Sequence, residues 1–378
     1  MHILIAPNAF KNSLDAPAAA TAIEKGLQQS KLSFTSEKFP VGDGGDGTAA
    51  LLLQRLGGRL IGAVVHDPIG RKISTSFGWV EKTKTAILEL ADASGLRLLR
   101  PDEYIPLRST TQGTGELIRQ ALDKKAERII LGIGGSATVD GAVGILTELG
   151  IRFMDGNGNS LTDLPENLVY LEQIDVSNLD QRIVNTELVV LCDVDNYLLG
   201  KAGAANVFGP QKGADEGTAI RLEAGLSKLQ EVAVRTTGKD MANMRHGGAA
   251  GGVAAGLSVF LNARLVSGIE YFLSITAFDQ ALEKTTIVIT AEGSIDQQTL
   301  QGKAPFGVAK SAKKYHVPVI ALAGKLPLII SQDLRNYFNI LLSINHEPLV
   351  LESALQYTAE NLARTAREIG DLLALREE

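Results

Sequence analysis

Gly132-Ile133-Gly134-Gly135-Ser136-Ala137-Thr138-Val139-Asp140-Gly141-Ala142 follows the run Arg128-Ile129-Ile130-Leu131 and leads into Ala142 to Leu149. The first run reads as a short buried strand. The second places apolar residues at Val143, Ile145, Leu146 and Leu149, which suits a helix. Glycines at such a hand-over let the backbone turn tightly and approach a ligand, and the N–H groups of the helix start favour an anion. A tight turn with glycines present only for packing is the competing reading. Ser136, Thr138 and Asp140 in the same loop favour the ligand, a phosphate or a carboxylate.

Working outward, the same grammar opens the chain. Met1 to Ala6 reads as a strand, and a helix capped by Asp15 with Pro17 in its first turn runs to Gln29. Ser33 to Phe39 reads as a second strand, followed by Val41-Gly42-Asp43-Gly44-Gly45-Asp46-Gly47 and a helix from Thr48 to Leu56. Strand, loop and helix twice over begin a doubly wound α/β fold. Leu60 to Val65, Ile73 to Val80 and Thr85 to Leu90 are extended runs with no helix between them, so antiparallel pairing is expected. The α/β texture returns at Thr285, with strands at 287–290, 317–322 and 340–344 and a helix over 349–375. The expected architecture is two α/β domains. A discontinuous parallel-sheet domain covers 1–66 and 285–378, and a mixed α/β domain is inserted over 67–284.

The chain has 378 residues, 45% hydrophobic and 21% charged, with a formal net charge of -6. The acidic balance and the lack of Lys/Arg clusters among aromatics argue against nucleic-acid binding. One cysteine, Cys192, excludes an intrachain disulfide, and the five histidines form no His-Glu-x-x-His pattern. Gly248, Gly252 and Gly256 in the uncharged stretch 247–261 recur at the spacing of membrane dimer helices. That stretch is shorter than the roughly 18 residues a span needs, so a closely packed helix is expected instead. With no basic flank or cleavage site before the first strand, the expectation is a cytoplasmic chain without membrane contact.

Ligands of open α/β sheets gather outside the carboxyl ends of the strands. Five loops there carry candidates, around Lys11, Asp43, Ser136, Asp193 and Glu292. Asp43 pairs with Asp46, Asp193 with Asp195 and Glu292 with Asp296. Asp193 and Asp195, one residue apart on an extended chain, point to one side and suit Mg²⁺, which takes one or two carboxylates plus phosphate oxygens. For Asp46, Glu292 and Asp296, helix capping is the competing reading, and for Lys11 and Lys212 a solvated surface charge. Phosphate cradling, metal and an oriented acceptor are what phosphoryl transfer needs. Yet the Gly-x-x-x-x-Gly-Lys-Ser/Thr loop and the protein-kinase motifs are absent.

Seven blocks resemble the bacterial type I glycerate kinase family. They are Ala6 to Leu14, Val41 to Gly47, Gly132 to Gly141, Cys192 to Asn196, Val207 to Ala214, His246 to Gly256, and Glu292 to Thr299 with Gly302 to Pro305. The resemblance implies ATP- and Mg²⁺-dependent phosphorylation of D-glycerate, with 2-phosphoglycerate favoured over 3-phosphoglycerate as product. It also implies a flavodoxin-like domain, a second domain resembling a restriction-endonuclease-like fold, and an active site in the cleft. Carried onto this chain, Asp193, Asp43 and Lys11 are expected to be catalytic. Lys11, Ser13, Asp43, Asp46, Glu292 and Asp296 are expected to bind substrate. Gly134, Gly135, Ser136, Thr138 and Lys212 are expected to bind nucleotide phosphates, and Asp193 and Asp195 the metal. Relatives often carry Asp at Asn8, Gly at Ala291 and Arg at Ser294. Homo-oligomerisation is left open.

Two other readings compete. Gly132-x-Gly134-x-x-Ala137 satisfies a relaxed dinucleotide fingerprint, with Asp155 as the ribose-binding acid of an NAD(P)-dependent dehydrogenase. A non-catalytic small-carboxylate-binding protein would explain Lys11 and the glycine loops without needing so many acids.

Overall fold

In a computed structural model describing residues 1–375, the strands in chain order are β1 (His2–Ile5), β2 (Thr35–Lys38), β3 (Arg59–His66), β4 (Lys72–Val80), β5 (Thr85–Glu89), β6 (Arg128–Gly132), β7 (Arg152–Met154), β8 (Gln173–Asp175), β9 (Glu187–Cys192), β10 (Arg264–Ser267), β11 (Ile287–Ser294), β12 (Val319–Lys325) and β13 (Ile340–Ser343). They fall into two compact units, Met1–Asp43 with the chain from Ile269 onward, and Gly44–Gly268.

The first unit holds a five-stranded sheet in the order β13-β12-β11-β1-β2, with every pairing parallel. Counted within the unit, this is the flavodoxin order 2-1-3-4-5, whose switch point lies between β1 and β11. Alternation along the strands sends Ile3, Ile5, Ile289 and Leu322 into one core with Ile23, Leu27, Leu362 and Ile369. The last four come from two helices, Ala16–Gln28 and Thr358–Ala374. Those helices approach so closely that a Cβ on Gly26 would lie 2.0 Å from the Ala363 carbonyl oxygen. Asp15 caps the first of them, its carboxylate accepting from the Ala18 amide at 2.7 Å. The closing segment expected as one helix is two, Leu351–Gln356 and Thr358–Ala374.

The second unit holds a six-stranded mixed sheet in the order β10-β9-β6-β5-β4-β3. β3, β4 and β5 form the expected antiparallel meander, and β5, β6, β9 and β10 run parallel. β7 and β8 form a separate antiparallel pair. The core joins Trp79, Leu88, Leu131 and Val190 to Leu117, Leu146, Leu226 and Val253 of the covering helices.

These units divide at 43/44 and 268/269, where 66/67 and 284/285 were expected. β3 pairs with β4 along its whole length, from Arg59↔Trp79 to His66↔Lys72, which binds residues 59–66 to the inserted unit. At the other end Phe278 meets Phe39 edge to face at 4.9 Å between ring centres, which holds the helix Phe278–Leu282 in the first unit. Among the described residues, no helix is long and apolar enough to cross a membrane.

Candidate functional site

Three loops meet at the carboxyl edge of the first unit's sheet. Asn8, just past β1, donates its amide N–H to the Ala291 carbonyl of β11 at 2.8 Å. Its side-chain Nδ2 donates to Asp43 Oδ2 at 3.0 Å. Val41 donates to the Pro7 carbonyl at 3.0 Å, so the loop after β2 is tied to the loop after β1. Thr290 Oγ1 donates to the Ala6 carbonyl and is wholly buried. Two residues on, Glu292 therefore leaves the sheet on the same face as Thr290.

Glu292 is the anomaly of this edge. Its Oε2 is buried and has no hydrogen-bond partner. Burial and the neighbouring Asp43 push its carboxyl up to about 8, against the opposing pull of Lys303 and Lys11, with Asp296 adding to the rise. An orphaned carboxylate oxygen is costly unless a proton or a ligand meets it. Lys11 is exposed at the tip of a tight turn closed by Phe10 and Leu14, whose N–H and C=O pair at 2.8 Å. Lys303 stands at the N-terminus of the helix Ala304–Lys314, where the backbone favours an anion. Lys303 was not among the expected site residues, although the pair Gly302-Lys303 before a helix was its visible signal.

Two expected substrate ligands serve the fold here. Ser13 Oγ lies 2.5 Å from the Leu355 carbonyl oxygen and 2.7 Å from Thr358 Oγ1, which ties it to the C-terminal helices. Asp296 caps the turn Gln297–Gln301, accepting from the Gln298 amide at 2.8 Å, and acts on Glu292 only through its charge.

In the second unit, the loops after β5, β6 and β9 share one edge of the sheet. The glycine loop after β6 is pinned through its backbone, and Leu96 donates to its Gly135 carbonyl at 3.0 Å. Gly134 donates to the Gly44 carbonyl, Ala137 to Ser94 and Gly141 to Gly251. Gly135 needs its glycine, because φ is +67° and a Cβ there would lie 2.6 Å from Asp46 Oδ1. At Gly134 the need is close approach, since a Cβ would lie 2.7 Å from Gly45 Cα. Among the described residues, no acceptor takes the amides of Gly135 and Ser136. Adjacent amides of this kind suit phosphate oxygens.

The loop's polar side chains turn inward. Lys212 is buried and donates through Nζ to Ser136 Oγ and the Thr138 carbonyl, both at 2.6 Å. Burial pushes its ammonium down to about 7, against the charge of Asp140. Thr138 is fully buried as well. Asp140 accepts from the Thr111 amide and hydroxyl and the Gly144 amide on Oδ2, and from the Ala142 amide on Oδ1. Ser136 and Lys212, expected to touch phosphate, thus brace the loop from behind through their side chains, whereas Thr138 contributes its carbonyl and leaves its buried Oγ1 without a hydrogen-bond partner. Spacing alone placed them in the loop without showing which way they face.

Glu89, absent from the sequence expectation, ends β5 in register with Gly132. Burial pushes its carboxyl up to about 7, and Oε1 accepts from the Ala49 amide at 2.9 Å. Its signal was an acid inside the apolar run Ala86-Ile87-Leu88-Glu89-Leu90.

Asp193 and Asp195 follow β9, with Asp193 exposed. Both oxygens of Asp195 are held by Arg245, at 3.0 Å from Nε and 2.9 Å from a terminal nitrogen. Among the described residues no group of three His, Cys, Asp or Glu side chains is placed to hold a metal ion. Mg²⁺ is commonly held by one or two carboxylates with waters and phosphate oxygens, so a site for it does not require such a group. The dinucleotide reading loses its acid. Asp155 accepts from the amides of Asn157 and Asn159 in its own turn, and the parallel neighbours of β6 are β5 and β9, not β7.

A model of the glycerate kinase family matches residues 3–374. The chain is 43% identical over 375 residues to a glycerate kinase of Bacillus subtilis, covering 99% of this chain and 98% of the relative. It is 41% identical to a glycerate 2-kinase of Escherichia coli K12, covering 99% and 98%. A crystal structure from Salmonella typhimurium LT2, assigned as glycerate kinase 2, superposes with a TM-score of 0.85 at 40% identity, covering 100% of this chain and 99% of that one. The chain belongs to the glycerate kinase family.

Proposed function

We propose that this chain transfers the γ-phosphoryl group of ATP to the 2-hydroxyl of D-glycerate, giving 2-phosphoglycerate and ADP. The observation that carries the reading is the carboxyl edge of the flavodoxin-like sheet. There the unpartnered Glu292 oxygen stands among Asp43, Lys11 and Lys303 at the switch point where such folds bind ligands. Glycerate is a small anion with hydroxyls. Lys11 and Lys303 answer its carboxylate, and Glu292 and Asp43 answer its hydroxyls. The name of the Escherichia coli relative supports position 2.

The nucleotide's phosphates are assigned to the amides of Gly135 and Ser136, which Lys212 and Asp140 hold rigid from the far side. Asp193 would hold Mg²⁺, while Arg245 engages both oxygens of Asp195. When bound, the ion neutralises charge on the phosphates. The chain's own residues orient the acceptor oxygen and take its proton.

Phosphorus NMR of the product tests both the reaction and the position. In 2-phosphoglycerate the phosphorus couples to one C–H proton and appears as a doublet, whereas in 3-phosphoglycerate it couples to a CH₂ and appears as a triplet. The expected result is a doublet that needs Mg²⁺. A triplet moves the transfer to the other hydroxyl. Glycerate that binds while ATP stays intact favours the non-catalytic carboxylate-binding reading.

A further inference from the structure

We propose that Glu292 is the catalytic base of this kinase, the group that takes the proton from the glycerate hydroxyl as phosphorus transfers. The inference rests on the glycerate kinase reading and extends it to one atom, Glu292 Oε2. The hydroxyl O–H bond breaks and its proton passes to Oε2. The freed oxygen bonds to the γ-phosphorus while the bond from that phosphorus to the β–γ bridging oxygen breaks. ADP leaves with that electron pair.

Geometry distinguishes Glu292 from its neighbours. Asp43 Oδ2 already accepts from Asn8 at 3.0 Å, and Asp296 Oδ1 accepts from the Gln298 amide at 2.8 Å. Glu292 keeps one buried oxygen with no partner, at the end of the central strand β11. The groups facing it come from every neighbouring segment. Lys11 comes from the loop after β1, Asp43 from the loop after β2, Asp296 from the following turn and Lys303 from the next helix start. On β12 its register partner is Ala323, which brings no charge. Here the neighbouring Asp43 raises the proton affinity of Glu292, which strengthens it as a proton acceptor. A base with affinity near the working pH is the most effective kind.

The sign follows from which form works. Only ionised Glu292 accepts a proton, so kcat/KM rises with pH and levels off above about 8, the value to which burial and Asp43 push this carboxyl. Removing the like charge with Asp43→Asn moves this limb to lower pH. Removing a cation with Lys303→Met moves it to higher pH.

The test is the pH profile of kcat/KM for D-glycerate at saturating ATP. In Glu292→Gln the limb is expected to vanish and kcat to fall by about 10²- to 10⁴-fold, the usual range for a lost general base. Glu292→Asp is expected to keep the limb at a reduced rate. Glu292→Gln turning over within threefold of the native rate, or keeping the limb, overturns the assignment. If that variant does not fold, the opposite shifts in Asp43→Asn and Lys303→Met decide, and no shift in either overturns it. A native enzyme that turns over with a flat profile sinks this inference alone. A native enzyme with no turnover at any pH sinks the kinase reading itself.

Discussion

Asp140→Ala is expected to destabilise the inserted unit by about 4 kcal/mol or more. The carboxylate is fully buried and surrounded by donors, namely the amides of Thr111, Gly144 and Ala142 and the Thr111 hydroxyl. Burial itself works against the charge and raises its pKa, which those four donors oppose. Alanine removes the acceptor and leaves the donors buried, each costing roughly 1–3 kcal/mol when unmade. The single tryptophan makes the measurement specific, since Trp79 lies in the inserted unit's core. Its fluorescence in a urea titration follows that unit whether or not both units unfold together. A loss below about 1 kcal/mol would mean that the donors find water or other partners, as a peripheral hydrogen bond would.

Gly135→Val carries the largest functional effect outside the proposed base. A β-branched residue at φ +67° is a backbone outlier, and its Cβ would press on Asp46 at 2.6 Å. The strain falls on the two amides assigned to phosphate. The expected result is a fall in kcat/KM for ATP of about 100-fold, equivalent to roughly 2.7 kcal/mol of transition-state interaction. Trp79 fluorescence should still report a folded unit. A folded variant with native ATP kinetics would return this loop to a packing role.

Local chemistry made much of the fold legible. Asp15 and Pro17 mark the first helix, and the runs from Leu60 to Leu90 mark the meander because the links between them are too short for an α-helix. The loops around Lys11, Asp43, Ser136, Asp193 and Glu292 were identifiable because each follows a strand directly. Side-chain direction was not legible. Lys212 reaches Ser136 across 76 positions of sequence, and Arg245 reaches Asp195 across 50, so neither partner leaves a local signal. The glycines at 248, 252 and 256 announced close packing, and Gly256 does lie against Gly141, where a Cβ would meet the carbonyl oxygen at 2.1 Å. Periodicity could not show that Ala250, Gly251 and Gly252 take left-handed angles before the helix becomes regular. The boundary at Asp43 was hidden too, because strand pairing with β4, rather than a change of composition, assigns residues 59–66 to the inserted unit.

The most direct measurement is ADP release by the purified, folded chain with ATP and Mg²⁺, with and without D-glycerate across millimolar concentrations. The expected result is saturable release that depends on D-glycerate and stops when Mg²⁺ is withheld. Release that is absent, or equal with and without D-glycerate, would contradict it.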